Sequence, residues 1–210
     1  MQSVFNQMRD ASLADVFTLR TWVVSDGRVV PAGDFWYNDQ PDTGVFASGT
    51  GTENDPYIIE TADQMLAFAA SLGEKLNYDG YFIALGADID LSGADWTPVG
   101  LGEYGFAGTF DGKGYTIRGM HLGTAETPAS KGPDQPYFAL FGVLERTAVV
   151  KNVNLTEVFV NASWPASSYV AGIAGYMASV QDDSRAGAWI DNCHVSGQTT
   201  TVPDNGNLFI

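Results

Sequence analysis

Val150-Lys151-Asn152-Val153-Asn154-Leu155 and Ile190-Asp191-Asn192-Cys193-His194-Val195 are one six-residue pattern written twice, apolar at the first, fourth and sixth places with asparagine at the third. Ile117-Arg118-Gly119-Met120-His121-Leu122 fits the same apolar columns, which sets the intervals at 33 residues from 117 to 150 and 40 from 150 to 190. A second series runs ahead of these hexads: Tyr137–Gly142 (YFALFG), Tyr169–Gly175 (YVAGIAG), and Asn207-Leu208-Phe209-Ile210 as the opening of a third copy. Self-similarity at this period marks a repeat architecture whose units bury their apolar faces only by stacking.

The units carry glycine turns and β-branched residues where a helical repeat would need two amphipathic helices. Four hairpin-linked strands per unit, as a propeller blade requires, fit the spacing poorly. The reading is therefore mainly β, a parallel solenoid over residues 46–210, expected to continue beyond the C-terminus and to leave an uncovered edge there. Period-two parity predicts three inward columns: Ile117, Val150, Ile190; Met120, Val153, Cys193; and Leu122, Leu155, Val195. Asn152 and Asn192 are expected to bond as a ladder at one corner, with Gly119 filling that corner in the earlier copy.

One helix is well marked, over about 61–72. Thr61 and Gln64 form a capping-box pair, Met65, Phe68, Ala69 and Leu72 follow a helical stripe, and Gly73 stands at the C′ position. It is expected to cover the N-terminal end of the stack. Residues 1–45 read as a separate segment. A hairpin is expected there, Val16–Val24 against Arg28–Phe35 across Ser25-Asp26-Gly27, with a short helix over Ser3–Leu13.

Composition narrows the partners. With 45% hydrophobic and only 17% charged residues the chain folds, and a net charge of −15 repels nucleic-acid backbones and anionic lipid. No apolar run is long enough to span a bilayer, and no membrane insertion is expected. One cysteine excludes a disulfide framework, and two histidines leave little for a His-based metal or catalytic centre.

The ordered series GTGTENDPYIIETADQMLAFA (49–69), YFIALGADIDLSGADWTPVG (81–100), FAGTFDGKGYTIRGMHL (106–122), YFALFGVL, VVKNVNL, YVAGIAGYM and WIDNCHVSG (189–197) resembles bacterial surface proteins with the GLUG-type repeat. The resemblance covers residues 48–197. It implies a right-handed β-helix in a large secreted or wall-attached protein, some relatives being adhesin-like and others carrying IgA-specific metallopeptidases. The family's motif glycines match Gly142 and Gly175. Ala139 stands where the family usually has glycine, while Gly172 keeps it in the next copy. Residues 1–45 lie outside the resemblance.

Several groups bear on possible chemistry. Phe110-Asp111-Gly112-Lys113-Gly114 is a turn of the kind also seen in β-helix lyases, and Lys113, Arg118 and His121 are the bases nearby. A lyase needs a base beside a carboxylate and usually a cation, but parity sends Arg118 and His121 to opposite faces. Asp88 and Asp90, with Asp95 following, suit turn capping first and calcium second. His121 and His194 share a column with Asn154 as a polar surface ladder. Cys193 reads as a small buried hydrophobe. Trp96, Tyr104, Trp164 and Tyr169 could stack on sugars or close the core. Asn154-Leu155-Thr156 and Asn161-Ala162-Ser163 match the glycosylation pattern, which carries no weight in most bacteria.

The expectation is a non-enzymatic structural or adhesion module of an extracellular bacterial surface protein, with no catalytic set, metal or cofactor. Gly123–Pro136, Asn161–Ser168 and Ser179–Gly187 would be its presenting loops, and a host or bacterial surface glycan or protein its partner. The competing classes are a carbohydrate-binding module and a β-helix polysaccharide lyase or hydrolase.

Overall fold

A computed structural model of the 210-residue chain describes residues 22–25, 28–31, 40–73, 76–101, 104–129, 137–162, 169–178, 187–201 and 207–208. The chain divides into two compact units, Met1–Asp39 and Gln40–Ile210. In the first, β1 (Trp22–Ser25) pairs antiparallel with β2 (Arg28–Pro31), with Ser25 opposite Arg28. The helix expected over Ser3–Leu13 lies outside the described residues, as do most of the three loops named above.

The second unit is mainly β with parallel sheets and one helix. Its strands are β3 (Tyr57–Ile59), β4 (Phe82–Leu85), β5 (Ile89–Asp90), β6 (Thr109–Asp111), β7 (Thr116–Arg118), β8 (His121–Leu122), β9 (Tyr137–Phe138) and β10 (Phe141–Leu144). They continue with β11 (Val149–Lys151), β12 (Asn154–Asn161), β13 (Tyr169–Val170), β14 (Ala174–Met177), β15 (Trp189–Asp191), β16 (His194–Thr201) and β17 (Asn207–Leu208). One parallel sheet runs β15-β11-β6-β4-β3, a second β16-β12-β7-β5 with β8 also on β12, a third β17-β13-β9, and β10 pairs with β14.

Thr109, Val149 and Trp189 lie side by side, so the chain returns to the first sheet at two successive intervals of 40 residues. Each return sets one strand on the strand before it and aligns like side chains. Ile83, Phe110 and Val150 form one buried column continued by the partly buried Ile190, and Ile89, Ile117 and Leu155 form another continued by Val195. Burying such aliphatic and aromatic side chains contributes roughly 1.5–3 kcal/mol each.

The earliest hexad was therefore set in the wrong register. Ile117 lies beside Leu155, not Val150, whose neighbour is Phe110, and Leu122 lies beside Val160. Phe110 and Ile117 stand seven residues apart, whereas Val150 and Leu155, like Ile190 and Val195, stand five apart. The extra two residues sit in the Asp111–Tyr115 turn, where Lys113 and Gly114 take positive φ (53° and 82°). Ile117 still fits the place of Val150, because Leu155, Val158 and Val160 repeat the apolar spacing of Val150, Val153 and Leu155 and the pattern therefore allows a slip of five residues. Val153 and Met120 are nevertheless fully buried, as expected, and Cys193 is half-buried.

The motif glycines fall in register. Phe141 pairs with Ala174 and Val143 with Tyr176, which sets Gly142 beside Gly175, and the Val99–Phe141 bridge adds Gly100. A Cβ on Gly142 would sit 2.3 Å from the Gly100 carbonyl oxygen, so the close approach of these backbones requires glycine. Between Phe138–Val170 and Phe141–Ala174 the later copy carries one extra residue, at the place where Ala139 and Gly172 differ.

Helix α1 spans Ala62–Ser71. Thr61 accepts from the Gln64 amide at 3.2 Å, while the Gln64 side chain accepts from the Thr61 amide at 3.1 Å. Met65 and Phe68 are fully buried, and the helix packs on β5, the outermost strand of the second sheet. Gly73 does not act as a left-handed C′ residue. The helix ends because Leu72 turns extended (φ −71°, ψ 140°), and Gly73 then pairs with Leu76.

Candidate functional site

The densest polar cluster stands at the corner after β6 and β11. Asp111 Oδ1 accepts from the Lys113 backbone N–H and from Asn152 Nδ2, both at 2.9 Å, and Asn192 Nδ2 donates to Asn152 Oδ1 at 2.8 Å. The predicted asparagine ladder is present, extended one step by a carboxylate. Asn152 and Asn192 both hold left-handed backbone (φ 54° and 48°), a conformation asparagine tolerates better than most side chains. The earlier copy of this corner is Asp111-Gly112, not Gly119, which donates its N–H to Thr156 at a different bend. Gly112 is needed there because a Cβ would approach the Asn152 carbonyl oxygen to 2.4 Å.

The Lys113 and Lys151 ammoniums each lie 3.5 Å from Asp111 Oδ2. Partial burial pushes the Asp111 carboxyl up, but the Asn152 and Lys113 hydrogen bonds and the two ammoniums outweigh it and hold the group below the usual carboxylate range. An open cleft of about 70 Å³ borders this corner, lined in part by Glu53, Thr109, Asp111, Lys113 and Lys151. A bound anion would have to share both ammoniums with Asp111.

The three bases singled out from the sequence go to three different carboxylates. Lys113 pairs with Asp111, Arg118 with Asp90, and His121 Nε2 with Asp95 at 3.2 Å. Both His121 ring nitrogens face acceptors, since Nδ1 lies 3.2 Å from the Gly119 carbonyl oxygen. Asp88 accepts from the Thr116 amide and Asp90 from the Ser92 amide, so Asp88, Asp90 and Asp95 do not converge. Hydrogen bonds from Ser92, and then Arg118, hold Asp90 below its ordinary range against the opposing effect of desolvation. His121 and His194 are not column neighbours. His194 lies beside Asn154, which lies beside Thr116, while His121, five residues after Thr116, lies beside Phe159.

Trp96 belongs to the core, 1% exposed, with its indole N–H donated to the Ala139 carbonyl at 3.1 Å. Tyr104 is partly buried and pairs with Leu101, and Trp164 lies outside the described residues. Tyr169 joins a surface group that the sequence reading missed: its ring lies 5.3 Å from Tyr137, which lies 6.1 Å from Tyr176. The signal was the shared first position of YFALFG and YVAGIAG, which puts Tyr137 and Tyr169 side by side. Burial, then the neighbouring tyrosines, push the Tyr137 phenol up. Burial also raises the Cys193 thiol, and its nearest acceptor is the Asp191 carbonyl at 3.3 Å, so it lacks the basic neighbour an activated thiolate needs.

No family model matches the chain. A protein of Evansella cellulosilytica named "Putative Gly-rich membrane protein" is 33% identical over 150 residues, which are 69% of this chain and 16% of that protein. Halomucin of Haloquadratum walsbyi is 30% identical over 160 residues, 70% of this chain and 2% of its own length. A crystal structure described as "a putative immunoglobulin A1 protease from Bacteroides ovatus" shares the fold at a TM-score of 0.55 and 27% identity, over 75% of this chain and 43% of that one. No helix among the described residues is long and apolar enough to cross a membrane. The chain is thus similar to a short segment of two much longer proteins, one named as a membrane protein and the other as a halomucin, and to less than half of a third.

Proposed function

We propose that the chain is a non-enzymatic structural module of a larger extracellular bacterial surface protein, built as a right-handed parallel β-helix of the GLUG-repeat kind and serving presentation or adhesion. The observation that carries this reading is the Asp111–Asn152–Asn192 chain of hydrogen bonds, in which polar side chains from three successive returns bond to one another. Groups used to hold register are not poised for turnover, and Lys113 and Lys151 share Asp111 while Arg118 and His121 sit on Asp90 and Asp95. The names and lengths of the relatives support a place in a long surface protein, within which this module would hold variable loops away from the cell.

Antibody labelling of intact producing cells tests the location, and incubation with acidic glycans tests for an enzyme. Surface labelling with no reducing-sugar release or unsaturated-product absorbance is the expected result, and turnover abolished by Lys113→Ala would overturn it. A second reading, a carbohydrate-binding module, is favoured by the Tyr137, Tyr169 and Tyr176 rings, of which Tyr176 is 48% exposed. Retention on a glycan array that Tyr176→Ala removes would select it.

A further inference from the structure

Three large apolar side chains lie exposed at positions where the neighbouring strand buries its counterpart. Tyr176 is 48% exposed beside Val143 at 5%, Met177 is 41% beside Leu144 at 0%, and Val195 is 49% beside Leu155 at 0%. All three are on β14 and β16, which, like β15, have a strand on one side alone among the described residues. The columns they continue point toward the core. Among the described residues no strand is stacked on them, which accounts for their exposure. Folded proteins ordinarily blunt a free strand edge with lysine, proline or a covering element. The segments Ala174–Met177, Trp189–Asp191 and His194–Thr201 contain no lysine, arginine or proline.

We infer that the β14–β15–β16 end is a docking face for one further parallel return of the same polypeptide, so that the stack is extended only in that direction. Among the described residues the opposite end offers no equivalent face. Ser48 pairs antiparallel with Ile58 on β3, Phe46 stacks on Tyr57 at 4.4 Å, and α1 packs on β5. A second copy stacked head to tail would need a free parallel strand at that closed end, so continuation within one chain is the occupant that fits. The seat is already started, since Asn207 and Leu208 lie in register beside Tyr169 and Val170. This inference rests on the structural-module reading above.

The test compares the 210-residue chain with a version in which a copy of residues 171–201 follows directly after Leu208, read by hydrogen exchange, sedimentation and thermal unfolding. In the original chain the amides of 174–177 and 189–197 should exchange about 100-fold faster than those of 149–155, and in the extended chain the original ones should slow at least about tenfold. The extended chain should also unfold at higher temperature and remain a monomer. As an arm that needs no graft, Val195→Asp in the 210-residue chain should leave its Tm nearly unchanged while Leu155→Asp abolishes folding. Equal protection of the two regions in the original chain, no slowing in the extended one, or unfolding by Val195→Asp would overturn the inference. A dimer of the 210-residue chain whose dissociation exposes these amides would overturn it too, by assigning the face to a second copy. Glycan turnover would defeat the structural-module reading without altering any of these readouts.

Discussion

Tyr57 and Val195 occupy comparable places, each on an outermost strand of a parallel sheet, yet one is 5% exposed and the other 49%. The first strand of the first sheet is covered by Phe46, by the antiparallel Ser48 segment and, at the adjacent sheet, by α1. Among the described residues the last strands have no such cover. Burial in this fold is therefore not a property of a residue's own segment, because the neighbouring return supplies it. The same apolar phrase is core in Val150–Leu155 and half surface in Ile190–Val195.

The largest effect should come from opening the covered end. Phe68 is fully buried and its ring meets Phe46, Tyr78, Phe106 and Phe110, so Phe68→Ala should destabilise by about 3–5 kcal/mol in denaturant titration. A loss below about 1 kcal/mol would mean that the helix is ornamental and the contrast between the ends is false. In the middle of the stack, Val153→Ala should cost about 1–3 kcal/mol, as for a buried β-branched side chain with returns on both sides.

Asn152→Ala removes two interstrand hydrogen bonds and forces alanine into positive φ, for an expected loss of about 1–3 kcal/mol. Asn152→Gly, which tolerates that φ, should recover part of the loss, and the difference separates backbone strain from the ladder. The same corner has a pH signature. Asp111 is held below its unfolded range, so its contribution is fully present above the unfolded carboxylate pKa and is lost as pH falls through the lower folded value. Unfolding midpoints measured from pH 6 downward should show a decline that Asp111→Asn flattens. The smallest effect belongs to the open end: Val195→Ala should change stability by less than about 0.5 kcal/mol. A loss comparable to Val153→Ala would erase the distinction between the ends.

Much of this was readable in the sequence wherever chemistry and spacing agreed. Thr61 with Gln64 set the helix start to the residue, and the paired asparagines at 152 and 192 announced a corner ladder because few other side chains combine left-handed backbone with an amide able to bond onward. What failed was register across the Asp111–Tyr115 turn. Leu155-Thr156-Glu157-Val158-Phe159-Val160 is apolar at the same first, fourth and sixth places as Val150–Leu155, so Ile117 fitted Val150 as well as its true neighbour Leu155, five residues on, and His121 was carried into the wrong column with it. For Trp96 the sequence leaves two readings, stacking on a sugar or closing the core, and the structure selects the second. Trp96 sits in a glycine- and proline-rich stretch that looks like surface loop, and only the fold reveals the backbone carbonyls of Ala139 and Leu140 that accept its indole proton. The tyrosine group was missed because Tyr176 reaches Tyr137 from a different strand set.

The forty-residue return has a mechanical corollary. A strand such as β11 is bonded only to strands one return behind and one return ahead, so tension applied through the C-terminal side loads one seam at a time instead of the whole sheet. Each of the two 40-residue seams that gives way pays out roughly 13–14 nm when straightened at 3.3–3.6 Å per residue. Under load such a chain lengthens in discrete steps and behaves as a shock absorber, while the helix-closed end yields last.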